Sequence, residues 1–291
     1  MTKPVFRFAP SPNGQLHLGH AYSALLNAQM ARISEGRFLL RMEDIDTARC
    51  TPVLEQGIYD DLHWLGLEWE QPVRRQSEHF SEYRNALTKL ADKGLVYPAF
   101  LSRTEVRAII GEAHAKGQDW PSDPDGTPLY PQGEREMSDK EQMQRIVSGA
   151  PYAWRLNMEK ALDMAGEALF WNESGQGPDG ETGHLIADPA QWGDVVIARK
   201  DTPTSYHLSV VVDDALQGIT HIVRGRDLFH ATSVHRLLQK LLGLPEPLYH
   251  HHELVLGDDG LKLSKSRKDT ALSSLREQGW TPDQIKRTLS L

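Results

Sequence analysis

The sequence predicts an α/β protein whose main domain is built on a parallel sheet. Residues 5–9 favour a strand and lead into the turn formers of residues 10–14. Apolar residues then recur at helical spacing over residues 16–28, and a second strand-favouring run follows at residues 38–42. A strand, a helix and a strand in succession predict two parallel strands joined by a right-handed crossover.

The rest of the chain is less regular in its middle than at its two ends. Residues 111–137 and 172–191 are rich in proline, glycine and polar residues, so we predict loops there. We therefore expect a smaller subdomain inserted into the main domain. The predicted segments are the first half of the main domain at 1–96, the inserted loop-rich subdomain at 97–192, the second half of the main domain at 193–256, and a basic loop with short C-terminal helices at 257–291.

Capping residues predict where several helices begin. Thr51, Ser102, Ser138 and Thr281 each precede a helical pattern, and the spacing to a glutamate predicts capping boxes at Ser102 and Ser138. Apolar patterns in the second half predict strands at 194–198, 219–223 and 253–256 and a helix at 227–242.

Composition narrows the class of protein. The chain has 291 residues and a formal net charge of −8, which argues against a protein that coats nucleic acid non-specifically. Its single cysteine, Cys50, excludes an internal disulfide and is interpreted as structural. We find neither a signal-peptide pattern nor an apolar run of membrane-spanning length. We therefore expect a cytoplasmic protein with no membrane partner.

Two motifs stand at opposite ends of the chain. His17-Leu18-Gly19-His20 lies where the first strand's loop becomes a helix, so its imidazoles and the helix N-terminus could meet a nucleotide. Taken alone, this pair could equally be a surface pair or half of a metal site. Residues 262–268 carry four cations among hydroxyls, which suits an anion clamp but also an ordinary solvated basic loop.

Together the two motifs resemble the signatures H-I-G-H and K-M-S-K-S of class I aminoacyl-tRNA synthetases. The second motif reads Lys262-Leu263-Ser264-Lys265-Ser266 here. Segments 7–14, 40–47, 206–214 and 222–227 are similar to the glutamyl branch of this family. Only 23 residues follow Lys268, too few for an anticodon-binding domain. The chain thus resembles the members that attach glutamate to queuosine in the anticodon of tRNA(Asp).

This resemblance implies a Rossmann-like catalytic domain, a ligase activity and particular ligands. The expected substrates are ATP with Mg²⁺, L-glutamate and tRNA(Asp) carrying queuosine, and we expect a monomer. The resemblance implies catalytic roles for Lys265, His17 and His20. It implies ATP contacts by His17, Gly19, His20, Lys262, Ser264, Lys265 and Ser266, and glutamate contacts by Arg7, Phe8, Ala9, Pro10, Ser11, Glu43, Tyr206 and Arg224.

The chemistry of glutamate fits three of these residues. Two carboxylates and one ammonium call for two cationic forks and one anion, and the candidates are Arg7, Arg224 and Glu43. Glutamine would leave a buried arginine under-paired, so glutamate is favoured. Without the motifs, the arginines could be ordinary surface cations, and Glu43 could belong to a solvated acidic turn.

We predict no metal site formed by protein side chains. Relatives can hold zinc with Cys-x-Cys and Tyr-x-x-x-Cys, and the matching positions here are Ala99, Leu101, Tyr130 and Glu134. Alanine and leucine cannot replace thiolates in a zinc site. The histidines at residues 250–252 are expected to be exposed at a strand entrance, where neighbours point to opposite faces and cannot converge.

Three other functions remain open from the sequence. One is a compact glutamyl-tRNA synthetase that charges a tRNA 3′ end. The second is a non-catalytic paralogue that binds tRNA or an amino acid, although the intact set of motif residues argues against it. The third is a small-molecule nucleotidyltransferase, which would not need the glutamate-shaped set of charges.

Overall fold

The structure is a computed structural model that describes residues 3–257 and 270–291. Its strands are β1 (Val5–Phe8), β2 (Arg37–Met42), β3 (Glu70–Arg75), β4 (Val96–Ala99), β5 (Ala153–Leu156), β6 (Phe170–Glu173), β7 (Gly183–Ile186), β8 (Val196–Arg199), β9 (His221–Gly225) and β10 (Leu248–His252). Its helices are α1 (Leu18–Ile33), α2 (Pro52–Trp64), α3 (Phe80–Asp92), α4 (Arg103–Ala115), α5 (Asp139–Val147), α6 (Met158–Ala165), α7 (Tyr206–Leu216), α8 (Ala231–Leu242), α9 (Leu272–Glu277) and α10 (Pro282–Thr288).

The N-terminal strand–helix–strand unit forms as predicted. β1 pairs with β2 in parallel, from Val5 opposite Arg37 to Phe8 opposite Leu40, and α1 connects them. β3 extends this sheet in parallel on the other side of β2. The carboxyl ends of the strands therefore lie at one edge, which is where ligands bind in open α/β sheets.

A second sheet has the strand order β7-β6-β10-β9. β10 is parallel to both β9 and β6, and β7 is antiparallel to β6. The beginning of β9 lies against the beginning of β1, because Thr220 N donates to Val5 O at 3.0 Å and Val5 N donates to Thr220 Oγ1 at 2.8 Å. The residues at the ends of β1 and β9 consequently come close together.

The third sheet is antiparallel, with the order β4-β5-β8. Its last strand lies beyond the predicted insertion, whereas β6 lies within residues 97–192 yet pairs with β10 of the second sheet. Strand pairing thus crosses the predicted boundary at residue 192. The domain boundaries themselves stay a prediction. A strand's own sequence does not reveal its partner.

Several predicted elements need correction. The strand expected at 253–256 lies earlier, as β10 at Leu248–His252. The loop expected from residue 111 begins only after α4, and the loop at 172–191 contains β7. The capping box at Ser102 is confirmed. At Ser138 the hydroxyl accepts the N–H of Glu141, but no full capping box is formed. A full capping box forms instead at Thr281. Both segments were predicted as loops because they are rich in glycine and polar residues. An exposed helix such as α4 and a hairpin strand such as β7 tolerate these residues.

The two largest of the hydrophobic clusters formed by the described residues hold most of the elements together. One packs α3, α6, α7 and α8, with Leu237 and Leu238 fully buried. The other packs α1, β1, β2 and α2 against the C-terminal helices α9 and α10, through Leu272 and Ile285. Within the described ranges no helix is long and apolar enough to cross a bilayer.

Candidate active site

A cavity of about 480 Å³ opens at the ends of β1, β2 and β9, beside the start of α1. Every residue predicted to contact glutamate lines it, namely Arg7, Phe8, Ala9, Pro10, Ser11, Glu43, Tyr206 and Arg224. His17, Gly19 and His20 also line it. The predicted residues Lys262, Ser264, Lys265 and Ser266 lie outside the described residues.

The two histidines of the first motif cap α1. His17 is the N-cap residue, and its Nδ1 accepts the N–H of Gly19 at 3.2 Å. His20 Nδ1 accepts the N–H of His17, also at 3.2 Å, so the pair forms a capping box. In the neutral rings Nε2 therefore carries the proton. A Cβ at residue 19 would lie only 3.1 Å from the His17 ring, which is closer than an ordinary van der Waals contact.

Arg7 is anchored by the carboxylate of Asp214. Its Nε donates to Oδ1 at 3.0 Å and one terminal nitrogen donates to Oδ2 at 3.3 Å. Although burial opposes ionisation, Arg7 and Arg41 hold the pKa of the Asp214 carboxyl below its usual range. Arg7 makes no other hydrogen bond to the described residues, so three of its five N–H groups can serve a ligand.

Glu43 directly follows β2 and is held by Arg41, which donates to its Oε1 at 3.1 Å. Arg41 is fully buried and also donates to Asp214 at 2.7 Å and to Gln217 at 3.0 Å. Burial opposes its charge, but the neighbouring carboxylates raise its pKa. Burial also raises the pKa of Glu43, against the attraction of Arg41 and Arg7. An ammonium group arriving beside Glu43 would favour its ionised form.

Arg224, at the end of β9, faces the cavity from the other side. Its Nε donates to His251 Nε2 at 3.0 Å, and one terminal nitrogen donates to His235 Nδ1 at 3.2 Å. The other terminal nitrogen donates to Thr232 Oγ1 at 2.7 Å and Leu228 O at 3.1 Å. Four of its five N–H groups are thus bound within the described chain, and Arg224 offers a charge and one donor rather than the fork expected from the sequence.

Tyr206 is the first residue of α7 and lines the cavity together with Arg7 and Arg224. Burial raises the pKa of its hydroxyl to about 12, although Arg224 opposes the shift. The hydroxyl therefore stays protonated at neutral pH and can donate a hydrogen bond to a carboxylate.

Sequence reasoning missed the residues behind the cavity wall. Asp214 and Arg41 were visible only as parts of longer motifs, although two acids ending the buried run Val210 to Val212 were a signal. The expectation that residues 250–252 are exposed is wrong, because His251 and His252 are buried at 1% and 7% exposure. His252 lines the cavity, and His251 holds Arg224.

The carboxylate of Glu134 lies among the four positions considered above for zinc. Oε2 of Glu134 accepts N–H groups from Phe100 at 2.8 Å and Leu101 at 3.2 Å, and it also accepts the hydroxyl of Tyr130. Ala99 packs with Tyr97 and Tyr130 in a small hydrophobic cluster. This network ties the end of β4 to the turn at residues 132–136 without a thiolate ligand.

With the fold and site in view, comparison with known proteins defines the class. The family described as class I tRNA synthetases (E and Q), catalytic domain, matches residues 4–291. The chain belongs to this family, whose members use ATP. The predicted glutamyl-branch resemblance, α/β fold and ligase class are confirmed.

Individual relatives narrow the comparison. The chain is 45% identical to a glutamyl-Q tRNA(Asp) synthetase of Rhodobacter capsulatus over 99% of its own length and 100% of that protein. It is 36% identical to a glutamate–tRNA ligase of Aquifex aeolicus and spans 57% of that protein's length. A glutamate tRNA ligase of Elizabethkingia meningosepticum, crystallised with its amino acid, superposes with a TM-score of 0.79 at 26% identity, over 99% of this chain and 60% of that chain.

Proposed function

We propose that this protein activates L-glutamate with ATP and transfers it to queuosine in the anticodon of tRNA(Asp). The observation that carries the activation step is the convergence of Arg7, Arg224 and Glu43 on one cavity at the start of α1. The similarity to a glutamyl-Q tRNA(Asp) synthetase along the whole chain supports the choice of acceptor.

The charges of the cavity suit glutamate. Arg7 has three available N–H groups for one carboxylate, and Arg224 with the Tyr206 hydroxyl can meet the other. Glu43 is the nearby anion for the ammonium group. Glutamine would replace a carboxylate with an amide, whose NH₂ would oppose a buried arginine donor, so we expect strong discrimination.

Activation joins the α-carboxylate of glutamate to the α-phosphorus of ATP. A carboxylate oxygen forms the new P–O bond, the bond from the α-phosphorus to its bridging oxygen breaks, and pyrophosphate leaves with the electron pair. No protein nucleophile is needed, so the protein contributes positioning and charge neutralisation. Mg²⁺ would travel with the nucleotide.

ATP would lie toward the start of α1. His17, Gly19 and His20 at the start of this helix line the cavity, and the positive end of the helix dipole there favours a phosphate. By family resemblance Lys265 meets the phosphates, with Lys262, Ser264 and Ser266 beside it. These assignments remain part of the proposal.

The acceptor would approach through a neighbouring groove. This groove, of about 630 Å³, shares Tyr206 with the cavity and is lined by Arg103, Arg107 and Arg199. Such cations suit RNA phosphates, and they supply a local basic path on an acidic protein. A hydroxyl of the queuosine cyclopentene-diol would attack the adenylate carbonyl, form an ester and release AMP.

Glutamate-dependent ATP–pyrophosphate exchange tests the activation step. We expect exchange with L-glutamate, with or without added total tRNA, and at least about a hundredfold less with glutamine, because the mismatch costs about 3 kcal/mol. Equal exchange with both amino acids would contradict the proposed pocket. Absence of exchange under every condition would favour the non-catalytic alternative.

A further inference from the structure

Behind the cavity, a buried chain of hydrogen bonds runs through Arg224. On one side Arg224 donates to His251, whose Nδ1 lies 2.5 Å from Glu173 Oε2. On the other side it donates to His235, whose Nε2 lies 3.2 Å from Nδ1 of His207. Glu173, His235 and His251 are each at most 3% exposed. This series of hydrogen bonds thus joins β6, β10, β9, α8 and α7.

The direction of each hydrogen bond in this series is fixed. An arginine only donates, so Nε2 of His251 and Nδ1 of His235 must both accept. The proton of His251 is then on Nδ1 and is donated to Glu173. The proton of His235 is on Nε2 and is donated to His207. Every bond is satisfied only while the imidazoles are neutral.

The environment keeps them neutral. Burial, together with the charge of Arg224, lowers the pKa of His207 to about 4. Burial likewise lowers the pKa of His251 to about 4, with Arg224 assisting and Glu173 opposing. Burial lowers the pKa of His235 well below its usual range. All three rings are therefore available as acceptors at neutral pH.

We propose that His251, oriented by Glu173, is a positioning residue that aims Arg224 at the carboxylate of the amino-acid substrate, with His235 fixing the opposite side of the guanidinium. This inference rests on the proposed function for the identity of the ligand. Because four N–H groups of Arg224 are already bound, the direction of its one remaining donor is set by these partners.

Glu173 is itself built into the backbone. Its Oε1 accepts the N–H groups of His251 and Gly175, each at 2.8 Å, so both oxygens are occupied. A Cβ on Gly175 would lie 2.2 Å from the carbonyl oxygen of His251, so only glycine lets the two segments approach this closely. The carboxylate and Arg224 therefore both favour the proton of His251 on Nδ1.

Two substitutions at His251 separate positioning from folding. In His251→Gln, the amide oxygen can accept from Arg224 while the bond to Glu173 is lost. In His251→Asn, the shorter amide can reach Glu173 but not Arg224. The matched control is His250→Asn, one residue away on the other face of β10, where the ring bonds to Ser174 Oγ.

The readout is the KM for glutamate and for ATP in pyrophosphate exchange. We expect His251→Asn to raise the KM for glutamate about tenfold or more, the usual effect of losing a hydrogen bond to a charged donor. We expect His251→Gln to recover most of this loss, the KM for ATP to stay within about threefold, and His250→Asn to match the wild type. Equal KM values for glutamate in the two His251 variants, or a parallel rise in the KM for ATP, would overturn the inference.

A spectroscopic measurement tests the positioning without any activity. In ¹⁵N-histidine NMR spectra of the whole protein, with His251 assigned by its absence from the Asn variant, the inference predicts the neutral Nδ1–H tautomer. Glu173→Gln should raise the fraction of the Nε2–H tautomer, because the amide NH₂ then faces Nδ1 and opposes the tautomer that Arg224 still favours. An Nε2–H tautomer in the wild type, or no change in Glu173→Gln, would refute it.

The two experiments distinguish the possible failures. If the wild type shows no glutamate-dependent exchange but the tautomers behave as expected, the proposed substrate is wrong while the positioning of Arg224 stands. If exchange proceeds and the tautomers do not respond, the positioning is wrong while the proposed function stands.

Discussion

Glu134 should stabilise the inserted region through the hydrogen bonds of its carboxylate. Its Oε2 accepts three hydrogen bonds, from two backbone N–H groups and the Tyr130 hydroxyl. Glu134→Ala would leave the Phe100 N–H and the Tyr130 hydroxyl without this acceptor and the Leu101 N–H with only the Tyr130 oxygen at 3.3 Å, and each lost hydrogen bond to a charged group costs about 1.5 kcal/mol or more. We therefore expect the free energy of unfolding to fall by about 3 kcal/mol. The pair with Arg145 at 3.7 Å adds little, because that arginine is half exposed.

Two companion variants sharpen this test. Glu134→Gln keeps an oxygen acceptor but loses the charge, so roughly half of the loss is expected, about 1.5 kcal/mol. The matched control is Glu136→Ala, an exposed acid in the same turn, which should change stability by less than about 0.5 kcal/mol. Urea unfolding followed by circular dichroism measures all three variants. If Glu134→Ala were as stable as the control, the carboxylate would have no structural role.

Three further perturbations probe the electrostatics and the motifs. Burial raises the pKa of Asp61 to about 6, against the attraction of Arg276. Asp61→Asn should therefore stabilise the protein at pH 7 by up to about 3 kcal/mol and give almost no gain below about pH 3, where Asp61 is protonated in both the folded and the unfolded state; thermal unfolding at both pH values measures this, and a loss of stability at pH 7 would contradict it. Because burial raises the pKa of Glu43, its carboxylate is lost at a higher pH than that of an ordinary glutamate, and calorimetry should show the Kd for glutamate rising as the pH falls below neutral; a constant Kd would count against its role. Lys265→Ala should reduce adenylate formation at least about a hundredfold while calorimetric glutamate binding persists, and an unchanged rate would exclude a role at the phosphates.

Local structure was largely predictable because it depends on near neighbours in the chain. The first strand–helix–strand unit follows from apolar periodicity, and the helix starts at Thr51, Ser102 and Thr281 follow from side chains that accept the first free N–H groups. The cavity wall was predictable through the motif resemblance. Most of its residues sit at strand ends or at a helix start, where short signatures are readable.

Long-range pairing was not predictable from these signals. β6 contains two apolar and two polar residues, which say nothing of its partner, and β10 begins 75 residues after β6 ends. The bonds that hold Arg224 join residues that are 27 and 11 positions away, and nothing local marks His251 as buried. A charged residue next to an apolar run, such as Asp214 after Val210–Val212, is a sequence signal for a buried hydrogen-bond network.

The most direct test of the account is the acceptor of glutamate. Labelled glutamate, ATP and Mg²⁺ are incubated with the protein and with total tRNA from cells that make queuosine or from cells that cannot. The account predicts label only in the queuosine-containing pool, released on mild alkaline hydrolysis as expected for an ester. Equal labelling of both pools would contradict it and indicate charging at the tRNA 3′ end.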